Sequence, residues 1–289
     1  MAEEKTEAAP AEKWNVIIDV AECTNCNLCV LATLDEHVDN EFPGYSAPMQ
    51  KHGHKWINIL QNERGQAPYL DIAYVPTVCN HCDDAPCVRE AKNGAVTKRP
   101  DGIVLIDPVK AKGQKELVDA CPYGHIWWNE ELEVPQHWNF DAHLIDGGWG
   151  KTRADQVCPT GAFKTIKLTD EAMQAKAASE DLQVLQPELN TKPRVWYRNM
   201  WRYSTAFIAG TLSAEANGVV DCVEGAKVRL LKDGAKIAEE ITDNYGDFKF
   251  DRLPEESGAY TVEIEVDGLV KKRVDTNLAR SLSLGEIRV

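Results

Sequence analysis

Cys23-Thr24-Asn25-Cys26-Asn27-Leu28-Cys29 and Cys79-Asn80-His81-Cys82-Asp83-Asp84-Ala85-Pro86-Cys87 are the stretches whose reading decides the fold. Each puts three cysteines on one short loop. A cubane iron–sulfur cluster needs four thiolates at one site, and two-residue gaps let three sulfurs point inward while backbone N–H groups face the cluster. The fourth must come from elsewhere. Two further cysteines each precede proline and, two residues on, glycine: Cys121-Pro122-Tyr123-Gly124 and Cys158-Pro159-Thr160-Gly161. Two triplets and two singles make two complete sets of four. Zinc is the competing metal, but its four-cysteine sites are normally assembled from pairs on two separate knuckles, not from three cysteines on one loop and a distant single.

Working outward, the chain has 289 residues, 43% of them hydrophobic, which at roughly 150 residues per domain suggests two domains with ordinary cores. Eight of the nine cysteines stand at or before position 158, and only Cys222 follows. The start, Met1-Ala2-Glu3-Glu4-Lys5, lacks the basic and apolar regions of a secretory signal, and no window approaches the ~18 apolar residues of a membrane span. A cytoplasmic location is therefore expected, and disulfides fit poorly because thiols stay reduced there. The formal charge of -14 argues against a nucleic-acid surface or an anionic-lipid anchor.

Residues 1–13 are expected to be a flexible N-terminal tail, 14–203 a ferredoxin-like domain with an aromatic segment at its end, and 204–289 a β-sandwich. Asn15 to Asp19 and Gly102 to Asp107 read as short buried strands, Lys110 to Ala120 and Asp170 to Leu182 as helices. Leu185 to Pro193 reads as a linker, and Arg194 to Tyr203 carries four aromatics that suit a core or seam. After residue 203, short alternating runs with Asp-Gly turns predict about seven antiparallel strands. That segment has no histidine cluster and a single cysteine, so its expected work is packing or partner contact. Cys222 is expected to be a small buried apolar residue. His37, His52, His54, His81, His125, His137 and His143 form no ligand triad with carboxylates at metal spacing and are expected at the surface or hydrogen-bonded. His81, inside a cysteine loop, is a candidate for tuning a cluster. Gly147, Gly148 and Gly150 lack the strand and helix of a nucleotide loop.

In bacterial-type ferredoxins the Cys-Pro ligand serves the cluster not built by its nearest loop, so spacing alone leaves the pairing open here. The two loops, with Cys-Pro-Tyr-Gly and Cys-Pro-Thr-Gly-Ala, resemble the multi-cluster iron–sulfur subunits of the dimethyl sulfoxide reductase family of molybdenum enzymes. Asp35-Glu36-His37, Phe42-Pro43-Gly44-Tyr45, Asn93-Gly94-Ala95-Val96, Asp101 to Pro108 and Lys192-Pro193-Arg194-Val195 are similar to the small subunits of the pyrogallol–phloroglucinol transhydroxylase branch. So are Glu224-Gly225-Ala226-Lys227-Val228 and Tyr260-Thr261-Val262-Glu263-Ile264 in the C-terminal segment.

The resemblance implies an α+β, double ferredoxin-like fold followed by a small all-β immunoglobulin/transthyretin-like sandwich. It implies that Cys23, Cys26, Cys29 and Cys158 hold a first [4Fe-4S] cluster, and Cys79, Cys82, Cys87 and Cys121 a second. Where larger relatives carry inner clusters, this chain has Thr33, Trp138, Asp141 and Ala154, and Ala91, Ala111, Gln114 and Leu117, so two clusters are expected. It implies a large catalytic partner, in a heterodimer, with a molybdenum or tungsten bis-pterin guanine dinucleotide cofactor. The chemistry on a polyhydroxylated aromatic would occur there, leaving this chain electron transfer or storage and stability. Without inner clusters, transfer between the two is expected to be slow, which suits hydroxyl exchange without net electron export. A free-standing low-potential ferredoxin-type carrier is the alternative, and it explains neither the sandwich nor the aromatic segment.

Overall fold

The computed structural model describes residues 11–289, which fall into two compact units. The expected tail lies outside the described residues up to residue 10, and Lys13, placed in it, is already the first residue of a strand. Of the described residues, the first unit contains 11–60 and 74–200, and the second 61–73 and 201–289. Sequence reading did not foresee that 61–73 belongs with the C-terminal part. Among the described residues no helix is long and apolar enough to cross a membrane.

The first unit is mixed α+β. Its three-stranded sheet is centred on β1 (Lys13–Asp19). Val16 and Ile18 on it are fully buried, as a central strand's continuous apolar run requires. Helix α1 (Leu28–His37) leaves the first cysteine loop. The chain leaves this unit along β2 (Asn58–Gln66) and returns to it along β3 (Tyr69–Thr77), paired with β2, on the way to Cys79, residues 61–73 of the two strands belonging to the second unit. Then come α2 (Pro86–Glu90), the pair β4 (Val96–Lys98) and β5 (Val104–Ile106), α3 (Glu116–Asp119), and the pair β6 (Trp127–Asn129) and β7 (Val134–Gln136). Helices α4 (Ala142–Asp146) and α5 (Arg153–Val157) precede β8 (Phe163–Leu168), which returns antiparallel to β1. Helix α6 (Asp170–Ser179) follows, and β9 (Val195–Arg198) closes the sheet parallel to β1.

Two expected helices are shorter than read. The run from Lys110 forms only the single turn of α3, because Gly113 has φ +79° and the Gln114 side chain bonds the Lys110 carbonyl at 2.8 Å, diverting the backbone. Helix α6 ends at Ser179, where Asp181 takes φ +51°.

The second unit starts, after residues 61–73, with α7 (Trp201–Ser204) and continues through β10 (Ala206–Ala216), β11 (Val219–Cys222), β12 (Lys227–Lys232), β13 (Ala235–Ile241), β14 (Asp247–Leu253), β15 (Gly258–Val266), β16 (Leu269–Leu278) and β17 (Leu282–Arg288). One four-stranded sheet runs β11-β10-β14 with β17 beside β10, and the other runs β13-β12-β15-β16. Ile208, Phe248 and Phe250 from the first sheet and Val228, Val262 and Ile264 from the second share one buried cluster. Each sheet therefore turns one face of its alternating strands inward. Strands β11 and β17 escaped sequence reading; β17 pairs parallel with β10, a non-local contact that no turn announces. Cys222 corrects another expectation: it is exposed, because β11 is a sheet edge whose residues all face solvent.

Residues 61–73 are tied into this second unit by Arg64. Its guanidinium pairs with Asp71, with Asp251 at 3.0 Å and with the Thr205 carbonyl at 3.1 Å, and lies 5.5 Å from the ring centroids of Trp201 and Phe207. Burial alone would raise the Asp71 carboxyl, but hydrogen bonds from Arg202 and Arg64 outweigh it and hold it at about 2. Beside Arg64, Gly65 has φ +84°, and a Cβ there would overlap the Tyr69 carbonyl and the Phe207 ring. Arg64→Met is expected to destabilise the second unit by about 3 kcal/mol, the low end for removing one partner of a buried ion pair, since both carboxylates keep some water contact. Thermal unfolding of the full chain, with a lowered melting transition in the variant, checks this; an unchanged transition refutes it.

Candidate metal-cluster sites

Both cysteine loops need a residue in the left-handed region just before the second cysteine. Asn25 has φ 56° and His81 φ 43°, and Asn27 repeats the conformation at 61°. Asparagine and histidine tolerate it better than most side chains. In the first loop the Asn27 amide also donates to the Asn25 carbonyl at 2.8 Å. These reversals curl the loop so that successive cysteines face one side.

The Cys-Pro-x-Gly segments have their own logic. Gly124 and Gly161 sit at φ 67° and 68°, and their N–H groups bond back to the Cys121 and Cys158 carbonyls at 3.0 and 3.3 Å. The tight turn brings the next backbone donors onto sulfur. His125 N–H donates to Cys121 Sγ at 3.4 Å and Phe163 N–H to Cys158 Sγ at 3.5 Å.

Tertiary structure then gathers the sulfurs. Cys23, Cys26, Cys29 and Cys158 line one cavity together with Ile59, Pro76 and Phe163. Cys79, Cys82, Cys87 and Cys121 line another with Val104, Ile106 and Ile126. The first opens to solvent at the exposed Cys26. The second is deeper, within a buried cluster that includes Ala95, Val96 and Leu117.

Burial pushes the Cys29 and Cys87 thiols up to about 12 and Cys79 well above its ordinary value, and neighbouring cysteines push in the same direction. Backbone N–H groups offset this only in part; at Cys121 burial is opposed by donors from His125, Tyr123 and Gly124. Such a set becomes four thiolates only when a cationic group replaces the protons. All-sulfur donors in an apolar pocket with backbone N–H groups on the ligand sulfurs fit an iron–sulfur cluster.

The eight residues that the sequence resemblance singles out as replacing inner ligands are packed or hydrogen-bonded in the fold. Thr33 is buried and donates to the Cys29 carbonyl at 3.0 Å. Trp138 and Ala154 are fully buried, with the Trp138 ring 5.1 Å from Phe140 and 5.9 Å from Phe163. Asp141, also fully buried, bonds His37 Nε2 at 3.1 Å and accepts the Arg153 N–H at 2.8 Å. In the other set, Ala111 and Leu117 are core, Ala91 packs against it, and the Gln114 side chain is engaged with Lys92 and Lys110.

Histidine burial exceeds the expectation. His37, His54, His81, His125 and His137 are buried, and His143 Nε2 donates to the Glu36 carboxylate at 2.9 Å. Burial lowers His125 and His137 to about 4. These rings fill space that the surrounding aromatics close off, which no local pattern reveals.

Sequence reading also missed a strap. Residues 191–194, read as the end of a linker and the first residue of the aromatic segment, clasp the second loop: Asp83 N–H donates to the Lys192 carbonyl at 2.9 Å, Asp84 N–H to the Thr191 carbonyl at 3.0 Å, and Arg194 N–H to the Asn80 carbonyl at 2.8 Å. The Arg194 guanidinium forks onto Asp83 at 2.7 and 2.5 Å and reaches Asp170 at 2.6 Å. Burial would raise Asp83, but hydrogen bonds from Arg194 and Lys98 hold it at about 2.

Because the folded Asp83 binds its proton only near pH 2, against about 3.9 unfolded, its contribution to stability is complete above about pH 4. It is lost as pH falls towards 2. Arg194→Gln is expected to shift the acid-unfolding midpoint of the chain upward, read by circular dichroism across that window; an unmoved midpoint counts against the strap.

The fold of the first unit and its cysteine loops define the class of ferredoxin-like 4Fe-4S proteins, and the 4Fe-4S dicluster domain family matches residues 70–168. The chain is 46% identical over 283 residues to the pyrogallol hydroxytransferase small subunit of Pelobacter acidigallici, covering 96% of this chain and all of that one. It therefore belongs to the family of pyrogallol hydroxytransferase small subunits. More distant similarity reaches the arsenate respiratory reductase iron-sulfur subunit of Shewanella sp. (strain ANA-3), 32% identical over 47% of this chain and 53% of that one. It also reaches a tetrathionate reductase chain of Salmonella typhimurium, 27% identical over 67% of this chain and 75% of that one.

Proposed function

We propose that this chain is the iron–sulfur subunit of a molybdenum or tungsten oxidoreductase acting on polyhydroxylated aromatics, a transhydroxylase or a related hydroxylase or dehydroxylase. Its partner is a large subunit that carries the bis-pterin guanine dinucleotide cofactor and the active site. The observation that carries the reading is the convergence of eight cysteines into two four-thiol cavities in a chain of this family.

Cys23, Cys26, Cys29 and Cys158 hold one [4Fe-4S] cluster, and Cys79, Cys82, Cys87 and Cys121 hold the other. A bound cluster supplies one-electron storage. The polypeptide supplies thiolates, backbone N–H donors to sulfur and an apolar wall that excludes water from the second site. The count of two is supported by the packed side chains at Thr33, Trp138, Asp141 and Ala154 and at Ala111, Gln114 and Leu117, which leave no four-thiol set there. The C-terminal sheets form an immunoglobulin/transthyretin-like sandwich that serves complex stability.

Anaerobic purification is expected to return about eight irons and eight sulfides per chain, together with a copurifying large molybdenum or tungsten subunit. Cys222→Ser should keep the full complement, since its side chain stands exposed on β11. Cys82→Ser should lose about half of the iron, one cubane of the two. About twelve irons, or zinc, would sink the assignment of ligands; a chain that purifies alone with full iron would favour the free carrier.

A further inference from the structure

The two cavities differ in their polar lining. Thr24, Asn27 and Thr160 at the first are solvent-exposed. At the second, Asn80 and His137 are buried, and among the described residues neither Asn80's amide atoms nor the two ring nitrogens of His137 meet a partner in good hydrogen-bond geometry, the Trp138 backbone giving His137 only a weak interaction that opposes its burial. Next to them, His81 is 1% exposed. Val104 N–H donates to His81 Nδ1 at 3.0 Å. A nitrogen that accepts carries no proton, so the His81 ring is neutral and its proton sits on Nε2, which has no partner among the described residues.

The two imidazoles crowd one cysteine of the second set. One ring nitrogen each of His81 and His137 and the sulfur of Cys79 all lie within 4.8 Å of one another. The His81 ring is enclosed by Trp138 at 5.5 Å and Phe140 at 5.3 Å between centroids. A buried polar group left unsatisfied costs about 1–3 kcal/mol, so a buried ring lining the cluster cavity calls for an acceptor outside the polypeptide, a cluster sulfur or a water. Thiolate and sulfide sulfurs of a cluster are such acceptors, and donors to them stabilise the more negative, reduced state.

We propose that His137, which lines the second cavity, is an N–H donor to the Cys79 side of the second cluster and holds its reduction potential above the value that burial alone would set. This rests on the reading of Cys79, Cys82, Cys87 and Cys121 as cluster ligands. The histidines are not ligands themselves, since four thiols complete the set and His81 Nδ1 is occupied by the Val104 N–H.

Redox titration of the assembled complex, followed by low-temperature electron paramagnetic resonance, tests it. His137→Phe should move the midpoint of one cluster to a more negative potential, leave the other unmoved and retain about eight irons per chain. His137→Gln, which keeps an N–H donor, should recover most of the shift. In the unsubstituted complex labelled with ¹⁵N-histidine, pulsed resonance of the reduced state should show a weak nitrogen coupling at one cluster, and this measurement decides if His137→Phe fails to assemble. An unmoved potential at full iron content overturns the proposal. So does an absent histidine coupling, or one strong enough for direct iron–nitrogen bonding. Absence of any cubane signal from the unsubstituted complex overturns the ligand assignment itself, a failure distinct from the others.

Discussion

Four thiols crowded round one apolar cavity cannot all ionise unless something positive enters among them, and the first unit is built around two such cavities. Burial and mutual repulsion raise their proton affinities together, so loading and proton release are one event. Each set joins segments far apart in the chain: 23–29 with 158, and 79–87 with 121. Whatever ties those sulfurs also closes long loops, which makes occupancy a matter of fold stability as well as of electron storage.

The protein spends much of its polar chemistry on holding the loops in place. Left-handed asparagine and histidine residues curl them, glycines in the Cys-Pro turns aim backbone N–H groups at sulfur, and the strap at 191–194 fixes the second loop through Arg194 and Asp83. Around Thr33, Trp138, Asp141 and Ala154 stands an aromatic and hydrogen-bonded interior that includes the buried His37–Asp141 pair.

The second unit has a different physics. Its two sheets close one apolar core without help from cysteine, and Cys222 stands outside that core on an edge strand. Residues 61–73 join it through one arginine whose charge is shared by Asp71 and Asp251 and covered by aromatic faces. Burial of a charged side chain so heavily paired makes this junction specific, because neither partner is tolerable alone.

The chemistry was legible in the sequence because it depends on short spacings: triplets on single loops, Cys-Pro-x-Gly turns, Asp-Gly hairpins and alternating strands are all local. So was the α+β character of the first unit. The grouping of the sulfurs was not, since spacing allows either pairing and only the return of β8 along β1 sets Cys158 beside the first loop. Nor was the exposure of Cys222, the strap formed by a stretch that reads as linker, the parallel β17, or the membership of residues 61–73. Each depends on partners far away in the chain or on which edge of a sheet a strand occupies, as with Arg64 and Asp251 or Arg194 and Asp83. Residue types and local periodicity decide what a segment is able to do; long-range packing alone decides which segments meet, and with them which buried histidines face a cysteine sulfur.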